Sequence, residues 1–367
     1  MFERFNLREN PFRTVPSLGN DVVWAGFHDT ENKIKQRINK SIRIPNSSIV
    51  LNWGEYGSGK THAARYFSKE NVLHDLCSSK PVPLSIVINL PKGKNVVWDL
   101  YTSILDKLKF HDIYDKLHSF DNIHSAIESV TDNEFIKKVL YSFYKANDQQ
   151  TELNNHIDDI VNFLYGNGNA KQREAFGLPR NISSNNDCIE LLSAFFSLIT
   201  SDLQKGYSCV ILWIDEFEDV TMQTAANVTA VNSFIRGMID KAPSNLLMFI
   251  NFTQSAFANV SDLSAYLQEA VRSRVKERIE FSLPNQVQFL EYLIELLGFY
   301  RLKKGENDIK PFKQDMICQL ISDLDNPSIR RFNEALSYLL EIADLDEKDT
   351  IDMALYNENK SDIIGWK

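Results

Sequence analysis

Apolar positions along this 367-residue chain alternate between two patterns. Short runs of strand length occur at Ile49-Val50-Leu51-Asn52-Trp53, Pro83 to Leu90, Leu246 to Phe252 and Arg278 to Phe281, and one at Cys209 to Ile214 is continuously apolar. Continuous apolar strands of this kind belong to parallel sheets covered on both faces. Between them, helical spacing appears at Val97, Leu100, Ile104, Leu105 and Leu108, and again from Cys188 to Leu203. Strands alternating with helices predict an α/β domain with a central parallel sheet, doubly wound. From Pro284 onward the pattern is helical throughout, over Val287–Leu297, Phe312–Leu324 and Ser328–Ile342.

These periods divide the chain into an arm over residues 1–44, an α/β domain over 45–283 and a helical domain over 284–367. The arm carries an amphipathic stretch from Thr30 to Ile38. Within the α/β domain, about 109–186 reads as a polar helical insertion with an apolar stripe at Phe135, Val139, Leu140 and Phe143. It closes on breaker-rich segments, Gly166-Asn167-Gly168-Asn169, Gly177-Leu178-Pro179 and Ser183-Ser184-Asn185-Asn186.

The chemistry is concentrated directly after the first strand. Gly54-Glu55-Tyr56-Gly57-Ser58-Gly59-Lys60-Thr61 matches G-x-x-x-x-G-K-[ST] in full, and a helix-compatible run opens at His62. Glycines let backbone N–H groups curl around an anion, lysine supplies a point charge for the β/γ-phosphates, and the threonine hydroxyl can ligate Mg²⁺. The helix start adds its own attraction for phosphate. ATP with Mg²⁺ is the expected cofactor pair, held by residues 54–62.

Asp215-Glu216 follows the Cys209–Ile214 strand, where an acidic pair can organise Mg²⁺ (Asp215) and deprotonate the attacking water (Glu216). The competing reading is a solvated acidic loop continuing through Glu218 and Asp219. Asn251 and Thr253 interrupt or end the next strand, where either could meet a γ-phosphate or simply cap the strand. Arg272, Arg274, Lys276 and Arg278 form a basic run, and an arginine there could reach a neighbour's γ-phosphate or lie on a solvated face. Asn326-Pro327-Ser328-Ile329-Arg330-Arg331 opens a helix with Asn326 or Ser328 as cap, and an arginine in its first turn could turn back to the nucleotide.

Composition narrows the partners. The chain is 43% hydrophobic and 24% charged, with net charge −9, so a general electrostatic grip on nucleic acid is absent while a local basic groove is not excluded. Cys77, Cys188, Cys209 and Cys318 form no C-x-x-C pair and read as reduced thiols in a cytoplasmic protein. The seven histidines lack metal-ligand spacing. Neither a signal peptide nor an apolar run of membrane-spanning length appears.

The order of these elements resembles an AAA+ ATPase: P-loop, Walker B, sensor 1, arginine finger, then an all-helical lid with sensor 2. It most resembles the initiator clade, the origin-recognition and transposon target-selection ATPases, on the compact lid, Ser328-Ile329-Arg330-Arg331, and Ala25-Gly26 ahead of a helix. Phe5 to Phe12 also resembles the opening of bacterial ATPases of the secretion and transposition type. The resemblance implies Thr253 or Asn251 as sensor 1, Arg272 or Arg274 as finger, and Arg330 as sensor 2.

Three departures stand out. Phe27 replaces the arginine of the clade's Gly-Arg box, and Thr61 and Asp215 lie 154 positions apart, which accommodates the insertion. Few residues follow the lid, so DNA contact is expected from the ring, the insertion or a partner. The expectation is an oligomer formed on ATP binding, with a protein partner on the insertion, acting as a loader or switch in a DNA-related, mobile-element or phage-defence assembly. The alternative is a STAND-type signalling NTPase without a DNA role; a small-molecule kinase fits the Asp215-Glu216 pair and basic lid less well.

Overall fold

The computed structural model describes residues 2–13, 22–145, 150–254, 263–305, 307–325 and 327–365. Five strands form one parallel sheet: β1 (Ser48–Glu55), β2 (Leu84–Asn89), β3 (Val210–Asp215), β4 (Leu246–Gln254) and β5 (Val275–Phe281). Their order is β2-β3-β4-β1-β5, so the P-loop strand lies inside the sheet and its carboxyl end shares an edge with those of β3 and β4. Ligands of open α/β sheets collect at that edge.

β3 is buried along its whole length, as its apolar run predicts. One face of the sheet is covered by helices His28–Arg43, Lys60–Tyr66 and Glu70–Cys77, which pack Ile34, Ile38, Ala63 and Leu73 against Val50, Ile211, Trp213 and Phe249. Helices Val96–Leu105, Asn185–Ile199 and Ala225–Lys241 cover the other face. Trp213 and Phe249 stack across β3 and β4 at 3.9 Å.

The edge strand β5 begins at Val275, three residues before the expected run. Exposure alternates along it, because one face meets water and the other the protein, but Lys276, Glu277 and Arg278 are consecutive charges that conceal its first half from a search for apolar runs. The insertion folds as short helices, Phe110–His118, Ile123–Val130, Glu134–Tyr144, Gln150–Leu164 and Ala170–Ala175. Their buried residues, among them Ile113, Ile136 and Phe163, join the same apolar cluster as the sheet. Asn185–Ile199 lies between the two and is buried along most of its length. A capping box fixes its start, with Ser184 accepting from the backbone of Asp187.

The C-terminal helices Gln286–Tyr300, Gln314–Asp323, Ile329–Leu345 and Met353–Ile364 build a second cluster. Phe2, Phe5, Leu7 and Phe12 from the other end of the chain are part of it, with Phe12 edge-on to Phe312 at 5.5 Å. Arg301 ties this segment down by donating from Nη1 to the Phe5 carbonyl at 2.9 Å.

Glu295, on the first of these helices, accepts from the Gly26 N–H at 2.7 Å and pairs with His28 Nε2 at 2.6 Å. The Glu295 hydrogen bond raises the His28 pKa above its usual value; burial opposes it, and Glu31 adds to the rise. A raised folded-state value makes this stabilisation complete below about pH 6.5 and removes it as pH climbs through the folded value. The His28 side chain is 55% exposed, so solvent screening keeps the effect below about 1 kcal/mol. Thermal melts of wild type and His28→Gln should therefore differ most below about pH 6.5 and converge at alkaline pH; parallel curves at all pH values would show that the ion pair adds nothing to stability.

Candidate functional site

The end of β1 turns sharply into helix Lys60–Tyr66. Gly57 and Gly59 take left-handed φ values of 77° and 99°, which residues with a Cβ rarely adopt. Space is short as well: a Cβ on Gly54 would lie 2.4 Å from the Phe281 carbonyl oxygen, and one on Gly57 2.7 Å from Ser328 Oγ, at the head of helix Ile329–Leu345. Ser328 caps that helix by accepting from Arg331 N at 3.3 Å; the other candidate cap, Asn326, lies outside the described residues.

Lys60 is 5% exposed. Its Nζ donates to the carbonyls of Gly54 (2.9 Å) and Glu55 (2.8 Å) and to Ser58 Oγ (3.3 Å). Burial pulls its pKa down to about 8, against the opposing pull of Glu218, Asp215 and Glu55. A buried ammonium of this kind is an incompletely compensated positive charge aimed into the loop, as an anion site needs.

Asp215 ends β3 at 3% exposure, and its Oδ1 accepts from Asn251 Nδ2 at 3.0 Å. Glu216 follows in the left-handed region (φ 54°), a strained backbone conformation for a residue with a Cβ. Burial, with help from Asp215 and Asp219, raises its pKa above the ordinary glutamate value. Asn89 at the end of β2 donates to Glu216 Oε2 at 2.9 Å and so fixes the carboxylate's direction. Glu218 reaches back toward the sheet and accepts from Thr253 N at 3.0 Å.

These groups line a cleft of about 240 Å³. Its polar end holds Tyr56 to His62, Asp215, Glu216, Glu218, Thr253 and Arg330. The apolar end is built from Val22 to Ala25, Phe27, Tyr292, Leu296 and Tyr300, with Pro11 and Arg13 at the rim. A charged pocket continuous with an apolar slot suits a nucleoside polyphosphate. His62 sits between the two ends: its Nε2 meets the Val23 carbonyl at 2.8 Å, its ring faces Trp24 at 5.9 Å, and burial lowers its pKa toward the neutral form.

Most of the residues singled out from the sequence converge here. Arg330 lies with its guanidinium 4.4 Å over the Tyr56 ring, donates to the Tyr56 hydroxyl, and has its backbone N–H 3.3 Å from the Gly57 carbonyl. Asn251 is fully buried beneath the cleft, whereas Thr253 lines it. Arg272 and Arg274 stand away from the cleft, ahead of the amino end of β5. Arg274 is engaged with Asp240 through Nε (2.7 Å) and Nη2 (2.9 Å), while Arg272 is exposed.

Asn89, Glu218 and the apolar slot were not singled out as site residues from the sequence. Asn89 has a signal only in register, since it pairs with Asp215 across β2 and β3. Phe27, in place of the expected arginine, holds φ 51° and packs its ring 5.8 Å from Tyr292, making the slot apolar.

Asp215 and Thr61 are hard oxygen donors at the mouth of a phosphate-shaped loop, a set that fits Mg²⁺ shared with phosphates and water. Among the described residues, no cluster of three or more His, Cys, Asp or Glu side chains could hold a metal by itself. Nor is any described helix long and apolar enough to cross a membrane.

No family model matches the sequence, and no curated protein matches it. The fold, in contrast, is shared with solved structures. The chain aligns with Aeropyrum pernix ORC2 in its ADPNP–ADP complexes at a TM-score of 0.57 and 11% identity, over 97% of this chain and 72% of that one. Cdc6p from Pyrobaculum aerophilum aligns at 0.53 and 13% identity, over 98% and 72%. A chain of Drosophila ORC bound to DNA aligns at 0.54 and 13% identity over 96% of this chain, which spans 65% of the fly chain's length. At these identities the likeness shows the fold alone, an α/β AAA+ fold with one parallel sheet and a C-terminal helical region.

Proposed function

We propose that this chain binds and hydrolyses ATP and works as an oligomer, a nucleotide-controlled loader or switch in a DNA-related, mobile-element or phage-defence assembly. The observation that carries this reading is the convergence on one cleft of Lys60, which opens the helix after β1, with Asp215 and Glu216 at the end of β3. Lys60 and the loop N–H groups bind the β/γ-phosphates, and the apolar slot takes the base. Asp215 and Thr61 hold Mg²⁺, which, when bound, screens the charge on the phosphates. Glu216 takes the proton of the attacking water, a role its raised pKa and fixed direction suit. Thr253 is the residue placed to sense the γ-phosphate, because it lines the cleft while Asn251 lies buried beneath it.

Arg272 is assigned as the finger that completes a neighbouring subunit's site, since Arg274 is held by Asp240. The insertion is assigned to a protein partner, and the DNA role draws on the fold shared with an ORC chain bound to DNA. The test is a mixing experiment. Arg272→Ala and Glu216→Gln should each be nearly inactive alone, and their mixture should regain part of the wild-type ATPase rate, because some interfaces then combine one intact base with one intact finger. Arg274→Ala should lose thermal stability before it loses turnover. No recovery on mixing, together with wild-type turnover proportional to protein concentration, would defeat the shared-site reading. Stimulation of turnover by duplex or single-stranded DNA would support the DNA role.

A further inference from the structure

Beneath the cleft, three polar side chains form a chain across the sheet. Asn52 on β1 and Asn251 on β4 are register partners, both fully buried, and Asp215 on β3 is 3% exposed. All three lie on the face covered by helix Lys60–Tyr66. Asn52 donates from Nδ2 to Asn251 Oδ1 at 2.9 Å. Asn251 then donates from Nδ2 to the Lys60 carbonyl at 3.2 Å and to Asp215 Oδ1 at 3.0 Å.

The chemistry of these partners fixes the orientation of both amides. A backbone carbonyl and a carboxylate both accept, so the end of Asn251 that meets them has to be its NH₂ group. Its Oδ1 therefore faces Asn52, which has to present NH₂ in turn. This leaves the Asn52 Oδ1 buried without a partner. An unsatisfied buried acceptor is costly, and Val50, two positions earlier on the same strand face, is an ordinary apolar core residue. Packing alone would be served better by an apolar side chain at 52. The one interaction the Asn52 side chain makes is the bond that keeps Asn251 from turning over. A reversed Asn251 would set its oxygen against the Asp215 carboxylate and the Lys60 carbonyl.

We propose that Asn52 is a positioning residue for the metal-holding carboxylate Asp215, acting through Asn251. The inference rests on the reading of Asp215 given above. Asn251 thereby has a role separate from phosphate sensing: both its amide protons are committed, one to the P-loop helix and one to Asp215. Because the same NH₂ group grips both, it also sets the distance between the carboxylate and the start of that helix, where Thr61 sits.

The test measures metal affinity rather than turnover. Mn²⁺ binding to the full chain in the presence of a non-hydrolysable ATP analogue is followed by electron paramagnetic resonance, and analogue affinity is measured separately in EDTA. Asn251→Leu should weaken Mn²⁺ binding by about 10- to 100-fold, as for residues that orient metal ligands directly, and Asn52→Leu, close in size to the native side chain and one contact further out, by roughly 3- to 10-fold. Metal-free analogue affinity should stay within about twofold for Asn52→Leu. The double variant should be no weaker than Asn251→Leu alone, since residues acting in series are not additive.

Asn52→Ser, too short to reach Asn251, should repeat the Asn52→Leu result and serves in its place if the leucine variant does not fold. Unchanged Mn²⁺ affinity in a folded Asn52 variant overturns the proposal. So does an equal loss of metal-free affinity, which would mark general damage to the loop. If wild type itself takes up no Mn²⁺ with the analogue, the failure belongs to the reading of the site, whatever the variants do.

Discussion

Lys60→Met is expected to abolish measurable nucleotide binding while leaving the fold intact. The ammonium is the buried positive charge of the P-loop, and charge-assisted hydrogen bonds to phosphate contribute roughly 1.5–3 kcal/mol each. Losing two of them weakens binding by at least about a hundredfold. Stability should move the other way or not at all. Burial lowers the Lys60 pKa to about 8, so the fold holds this charge at a cost that an uncharged chain of similar length avoids. Titration of a fluorescent ATP analogue, paired with a thermal melt, separates the two effects. Lost binding with an unchanged or higher melting temperature fits the account; lost binding with a collapsed melt would make Lys60 a structural residue.

The second large effect is on Glu216. Glu216→Gln keeps the side chain's size and its ability to accept from Asn89, yet removes the proton acceptor. General-base catalysis is worth about 10²- to 10⁴-fold, so turnover should fall by that range while analogue affinity stays close to wild type. A variant that retains more than about a tenth of the wild-type rate would remove Glu216 from the chemistry and shift attention to Glu218, the other glutamate lining the cleft.

The sequence makes the site's contiguous parts readable and leaves its cross-strand parts obscure. Gly54 to Thr61 declares itself because the glycines, lysine and threonine that shape a phosphate cradle are neighbours in the chain. β3 is legible for a similar reason: a strand buried on both faces has to be apolar throughout, and the acidic pair after it marks the edge where ligands collect. β5 starts earlier than its expected run, because Lys276 and Glu277 put consecutive charges into its first half. The Asn89–Glu216 and Asn52–Asn251 contacts join residues 127 and 199 positions apart, and only the strand order and register bring them together. Asn52 within Ile49 to Trp53 is a polar interruption with no local explanation until β4 lies beside it.

The amino-terminal segment shows the same limit. Phe2, Phe5, Leu7 and Phe12 are apolar residues in a stretch without clear period, and their burial depends on helices about 290 to 350 positions away. The two arginines before β5 look equivalent in the sequence, and Asp240 on helix Ala225–Lys241 separates them by engaging Arg274. Lys60 is the converse case: its motif names its role, while the depth that lowers its pKa depends on the fold closing around it.

Phosphate release from ATP by the wild-type chain, followed with and without Mg²⁺ and beside Lys60→Met, decides whether this cleft hydrolyses nucleotide. Hydrolysis at this site should give steady release over many turnovers that requires Mg²⁺ and vanishes in the variant. Release equal to that of Lys60→Met, or tight analogue binding with no release above the uncatalysed rate under any ionic condition, would contradict it and leave a cleft that holds nucleotide without hydrolysing it.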